Sequence, residues 1–334
     1  MKKTIFATLA AALVLASCAK VEVTEVPDSR AIGFDNFVTN AVKSIDNEDA
    51  LSTFYVYGGP EGSYSDFNNV EVTKQTTGEW GYTPAQYWES TGDVNYQFAA
   101  YSNDNHTATG DITFNDTDFH LILTNYTTDG SNDLIYAYAH NQTYNNTSGT
   151  VSLDFRHILS KIIFRFSKNE TLNGSDLVIS EVKIKSVKNT GTFSGKDVAG
   201  SQHDATSWTP SGEGTPASFD FANEAKLTDN AKTVDSNPEF LIPQATGETL
   251  LQVEFTVTPS GVIADEYSKG VKTFSVDLPV TTDNTWKPGL VYIYSAIIDA
   301  ENFELKPIEF DVTMNNNWDD PANESDDILP DTEF

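Results

Sequence analysis

The sequence predicts an all-β protein. Short segments of alternating apolar and polar residues recur along most of its length, and a period of two belongs to half-buried strands. No long stretch carries the 3.6-residue period of an amphipathic helix. Phe (20) and Tyr (14) are abundant, as are Thr, Asn, Asp and Ser, a mix that suits strands joined by polar turns. Many short strands separated by turn signals indicate β-sandwiches. The chain has 334 residues, which suggests two domains of about 150 residues each.

The chain opens with Lys2 and Lys3, an apolar run from Ile5 to Leu15, and then Leu15-Ala16-Ser17-Cys18. This is a secretory signal layout over residues 1–17, followed by a spacer over 18–30. The apolar run is shorter than the roughly 20 residues that cross a bilayer. Cys18 is the only cysteine, so it has no partner for a disulfide within the chain, and stability must come from packed cores. Residues 15–18 resemble the lipobox of bacterial lipoproteins. That resemblance implies a diacylglycerol on the Cys18 sulfur and attachment to the outer membrane through lipid. The alternative is a plain secretory signal with an incidental cysteine.

Strands follow in order. Leu51–Tyr57 alternates and stops at Gly58-Gly59-Pro60; Val94–Tyr101 alternates before Ser-Asn-Asp. Asp111–Phe114, Leu121–Leu123 and Leu134–Tyr138 are short apolar runs with polar flanks. Val151–Phe155, Lys161–Phe166 and Val178–Lys185 alternate, as do Glu239–Ile242, Leu250–Val257, Thr273–Leu278, Leu290–Ile298 and Ile308–Thr313. His157–Ile162 is the nearest approach to a helix, a single turn between two strands. The polar segment 139–149 reads as a linker, which places one sandwich at 31–148 and a second at 149–334. Residues 200–216 read as a loop insertion, and the acidic tail from Asp319 to Phe334 as a fraying end.

The formal charge is -29, from 49 acidic and 20 basic residues. Such a surface repels nucleic acid and anionic lipid. The five histidines (106, 120, 140, 157 and 203) show no metal-ligand spacing such as HExxH. There is no glycine-rich phosphate loop and no GxSxG elbow. The sequence therefore predicts no catalytic site, no metal site and no cofactor. The acidic cluster Asp111–Asp118 and the pair Asp326-Asp327 lack the spacing of an EF-hand loop and read as solvated turns. His157 reads as a partly buried imidazole that hydrogen-bonds backbone or caps a bend, in preference to a ligand or an acid/base. Trp80, Tyr82, Tyr87 and Trp88 fit either core packing or a carbohydrate-binding platform, with core packing favoured.

Ala31–Phe34, Ala41–Ser44 and Leu51–Gly58; Tyr87-Trp88 with Tyr96–Tyr101; Asp133–Ala137; Leu153–Lys161; Phe240–Gln244; Trp286–Tyr292; and Ile308–Thr313 with Trp318 follow one another along the chain. Together these segments resemble the fimbrillin family of Bacteroidota, the pilins of the FimA and Mfa-like groups. The resemblance covers nearly the whole mature chain. It implies two tandem transthyretin-like sandwiches, export as a lipoprotein, and a structural role in a surface fimbria that supports adhesion. It also implies partners: other fimbrillin subunits, and a trypsin-like protease that removes the first strand so that a strand from another subunit fills the groove. Ala31–Val38 is the candidate displaced strand, with Ile32 and Phe34 on its buried face.

The chain departs from the family pattern at two places. Lys43 stands where the family usually carries arginine between the first and second strands. Arg30 precedes the candidate strand, so a cut there releases the anchor and leaves the strand in place. A cut at Lys43 opens the groove. The tail offers Ile328, Leu329 and Phe334 as a candidate donor strand, but Pro330 interrupts it, and proline within a strand removes a ladder hydrogen bond. A poor donor tail fits a tip, anchor or accessory subunit, or a fimbrillin-like lipoprotein that never polymerises, and a shaft subunit stays open beside them. The alternative is a non-polymerising surface lipoprotein that binds glycans.

Overall fold

The structure is a computed structural model that describes residues 30–38, 51–196, 207–228, 232–246, 251–261, 270–279, 284–303, 306–315 and 318. It is all-β. The strands of the first half are β1 (Gly33–Val38), β2 (Thr53–Pro60), β3 (Phe67–Lys74), β4 (Trp80–Gly81), β5 (Tyr96–Asn103), β6 (Asp111–Asn115), β7 (His120–Thr127), β8 (Leu134–Gln142) and β9 (Thr150–His157), with one helical turn, α1 (Tyr144–Thr147). The second half contributes β10 (Ser160–Lys168), β11 (Ser175–Val187), β12 (Thr190–Ser194), β13 (Trp208–Ser211), β14 (Thr215–Phe219), β15 (Ala225–Leu227), β16 (Val234–Asp235), β17 (Glu239–Leu241), β18 (Gln252–Gly261), β19 (Lys272–Asp277), β20 (Val291–Ile298) and β21 (Phe310–Asn315).

A seven-stranded sheet runs in the order β1-β9-β8-β5-β2-β3-β4. Successive side chains of a strand point to opposite faces, and here both faces are covered. Phe98 and Ala100 of β5 join one core with Phe34, Phe54, Phe67, Trp88, Val151, Leu153 and Phe155. Ala99 and Tyr101 join another with Leu121, Leu123, Phe193 and Trp208. All eight residues of β5 are therefore buried. The second core is closed by the sheet β13-β12-β7-β6 and by Ile163, Val291 and Ile293. The alternate residues Ile162, Phe164, Tyr292 and Tyr294 point the other way, into a third core between the sheet β16-β10-β20-β21 and the sheet β14-β11-β18-β19.

Three expectations are corrected. The polar segment 139–149 is built into the sheet rather than left as a linker. β8 runs to Gln142, Thr143 caps α1 by accepting from the Asn146 amide, and Ser148 and Gly149 turn the chain with positive φ (54° and 97°). Strand β9, beyond the expected boundary, belongs to the first sheet because Val151, Leu153 and Phe155 supply its core. His157–Ile162 holds no helical turn: β9 continues through His157 and β10 starts at Ser160. Within the expected insertion, β13 and the start of β14 are ordered. Trp208 is buried there, and its indole N–H donates to the Ile158 carbonyl at 2.5 Å.

Candidate functional site

The site is the first strand and the groove that holds it. β1 lies parallel to β9 at one end of the seven-stranded sheet, with Gly33 opposite Thr150 and Val38 opposite Phe155. β9 pairs with β8 at only two positions, Ile135 with His157 and Tyr136 with Arg156. Along 150–155 the ladder partner of β9 is thus β1. On its other side the entry to β1 meets the segment that follows β4: Ala31 bridges Tyr87 and the Ile32 amide donates to the Gln86 carbonyl at 2.9 Å.

The alternation of Ile32 and Phe34 places both in the core, at 2% and 5% exposure. Phe34 meets Phe54, Phe67 and Phe98 edge to face, with centroids 6.2, 5.4 and 5.7 Å away. Such pairs contribute about 0.5–1.5 kcal/mol each beyond area burial. Tyr82 packs on Phe34 at 5.7 Å, and its hydroxyl donates to the Ile32 carbonyl at 2.8 Å. Burial pushes that hydroxyl up to about 12, so it remains a donor at any physiological pH.

The entry of β1 is pinned by a corner. The Gly149 carbonyl accepts both the Gly33 amide (2.9 Å) and the Trp88 indole N–H (3.0 Å). Gly149 holds φ at +97°, a conformation that glycine adopts without steric cost. Arg30 lies at the same corner. Its guanidinium sits over the Tyr144 ring (4.4 Å) and donates to the Glu89 carbonyl, while its own carbonyl accepts the Trp88 amide at 3.0 Å. The Arg30–Ala31 bond is therefore held in folded structure, not presented as a free loop.

Of the residues singled out in the sequence, Arg30, Ile32 and Phe34 are brought together here. Cys18, Lys43, Ile328, Leu329 and Phe334 lie outside the described residues. Sequence reasoning named Tyr82 and Trp88 as packing aromatics without their contacts to the first strand, and it missed Gln86 and Gly149. The aromatic content of 80–88 was the signal available for Tyr82 and Trp88. Trp88 is buried at 3% exposure, Trp80 and Tyr82 are half-buried, and Tyr87 is exposed, so these four side chains do not form one open platform.

A second cluster lies where β9 ends. The imidazole of His157 is stacked on Trp318, centroids 4.0 Å apart and planes 11° from parallel, and its Nδ1 is 2.5 Å from Asp133 Oδ2. The partner is thus a carboxylate and not backbone. Phe240 stacks near the same indole at 6.0 Å, and Lys161 Nζ donates to the Trp318 carbonyl at 2.5 Å. Asp133, His157, Lys161, Phe240 and Trp318 come from four separate sequence segments of the family resemblance. Packing gathers them into one buried group.

Among the described residues no set of three or more His, Cys, Asp or Glu side chains is placed to hold a metal ion, and no helix is long and apolar enough to cross a membrane. No curated protein matches the sequence. Among solved structures, a fimbrial protein from Bacteroides vulgatus superposes with a TM-score of 0.61 at 16% identity, covering 86% of this chain and 99% of that one. A candidate cell adhesion protein from Bacteroides uniformis superposes with a TM-score of 0.52 at 15% identity, covering 87% and 99%. At these identities the likeness shows a shared fold. The model of the fimbrillin-like family matches residues 38–318, which takes in the groove strands β2, β3, β5 and β9 together with the Trp318 cluster. With the sequence matched to the family model over residues 38–318, the chain belongs to the fimbrillin-like family.

Proposed function

We propose that the protein is a structural subunit of a cell-surface fimbria that supports adhesion, exported as a lipoprotein through Cys18, with β1 as a resident strand that proteolysis releases. The observation that carries this reading is the position of β1. It is the first strand among the described residues, it has one main ladder partner, and it supplies Phe34, with Ile32 just before it, to an aromatic core. Removing it exposes the unpaired backbone of β9 and a groove lined by Phe54, Phe67, Phe98 and Phe155. An incoming strand satisfies both at once, by backbone pairing and by alternate side chains. The resident strand blocks that groove until it is cut.

Cleavage after Lys43 by a trypsin-like protease separates β1 from the body; cleavage after Arg30 leaves it seated. The tail with Ile328, Leu329 and Phe334 is a weak donor because of Pro330, which favours a tip, anchor or accessory subunit over a shaft subunit. The fold is then read as tandem sandwiches sharing the central core. Treatment of the lipid-free protein with trypsin, followed by an unboiled denaturing gel and N-terminal sequencing, tests this. A new terminus at Ser44 with oligomers, or with capture of a strand from another subunit, supports it. A stable monomer that keeps residues 31–38 and accepts no added strand counts against it.

A further inference from the structure

We infer that the emptied groove takes a strand with the order aliphatic–glycine–aromatic, as in Ile32-Gly33-Phe34, and that a different protein supplies it rather than a second copy of this chain. This rests on the strand-release reading above and adds the chemistry of the partner to it. The resident strand is the template, because it shows what each position of the groove holds.

Backbone contacts set the register. The Ile32 amide donates to the Gln86 carbonyl (2.9 Å), the Ile32 carbonyl accepts the Tyr82 hydroxyl (2.8 Å), and the Gly33 amide donates to the Gly149 carbonyl (2.9 Å). These bonds are blind to side chains, but they need an N–H at both positions, which excludes proline from either.

With the register fixed, the three side-chain positions make different demands. The first is buried in the apolar core and holds Ile32. The third holds Phe34 among the rings of Phe54, Phe67, Tyr82 and Phe98, three of them edge to face, a geometry that favours an aromatic over an aliphatic side chain. Between them, a Cβ on Gly33 would lie 3.1 Å from Thr150 Oγ1, inside ordinary contact, whereas the next nearest atom is 3.6 Å away. Crowding by one hydroxyl therefore selects glycine there.

No other glycine in the 334 residues stands between an aliphatic and an aromatic residue in that order. The tail fails in each alignment. Ile328 in the first position puts Leu329 in the crowded second and Pro330 in the third. Leu329 in the first puts Pro330 where the Gly149 carbonyl needs an N–H. Phe334 in the third puts Thr332 in the apolar first position and Glu333 in the crowded second. A second copy thus carries the motif only in its own β1, the segment that release cuts away.

The test uses the mature lipid-free chain, cut with trypsin, freed of protease and released fragments, and titrated against fluorescent peptides with polarisation as the readout. The cut protein should capture a peptide of residues 31–38, and the uncut protein should not. In that peptide, Phe34→Leu should weaken capture about tenfold and Phe34→Ala about a hundredfold. The Gly33→Ala peptide should bind the wild-type protein more weakly and regain the parent's affinity on a Thr150→Ala protein. A tail peptide of residues 326–334 should not be captured. If the parent peptide is captured but the Phe34→Ala or tail peptide binds as tightly, or the Gly33→Ala peptide is indifferent to Thr150→Ala, this assignment is overturned while strand release stands. Binding of the parent peptide by uncut protein also overturns it, by placing the contact outside the groove. Capture of no peptide at all contradicts strand release and takes this assignment with it.

Discussion

The guanidinium of Arg30 lies 4.4 Å above the ring of Tyr144, in the turn that joins β8 to β9. A trypsin-like protease must take that guanidinium into its own pocket and straighten the chain around it. Limited proteolysis followed by mass spectrometry should find cleavage after Lys43 well before cleavage after Arg30. Tyr144→Ala should speed the cut after Arg30 without changing the cut after Lys43. Early cleavage at Arg30 in the wild type would show that the corner does not protect it.

Phe34 touches four rings, from β2, β3, β5 and the segment just after β4. Phe34→Ala should cost about 3–5 kcal/mol in chemical denaturation, the usual range for emptying such a site. The same loss should loosen β1, so amide exchange at 33–38 should accelerate more than exchange in β20. A cost below about 1 kcal/mol would mean that β1 contributes little to the core.

Trp318 ties the end of the described chain to His157, Lys161 and Phe240. Trp318→Ala and His157→Ala should each destabilise the protein. Measured together in a double-mutant cycle, they should show a coupling of about 0.5–3 kcal/mol, as contacting residues do. Additive losses would place the two side chains in separate energetic units.

Glu239 gives a pH signature. Burial pushes its carboxyl up from 4.5 to about 7, and Asp220 and Asp129 add to the rise. The folded protein then holds this proton more tightly than the unfolded chain. The contribution to stability is complete below pH 4.5 and is lost as pH rises through about 7. Glu239→Gln should remove that loss, so the difference in stability between variant and wild type should grow in favour of the variant from pH 5 to pH 8. Denaturation midpoints at several pH values read it directly, and parallel curves would refute the shift.

Much of the fold was legible because local patterning and burial agree. The alternating runs that became β2, β9, β10, β11 and β20 each face a core on at least one side. β3 was missed since Asn68-Asn69 and the exposed Glu71 dilute its period, and its place is set by pairing with β2. β13 was hidden in a polar stretch where only Trp208 is apolar and buried. Ile32 and Phe34 were readable as a buried face. Their partner strand was not, because a parallel pairing between residues more than 100 positions apart leaves no local mark. The same holds for His157 at the end of β9 and Asp133 just before β8, which meet only when the two strands converge.

The central claim is that β1 must leave before another strand can enter. Asp35 and Ser152 are direct partners across β1 and β9, and both are exposed. An Asp35→Cys/Ser152→Cys variant, made with Cys18→Ser and cut by trypsin while oxidised, should stay monomeric with residues 31–38 still attached. After reduction the same cut sample should release that segment and form oligomers or capture a donor strand. Oligomers forming while the cross-link is intact would contradict the account.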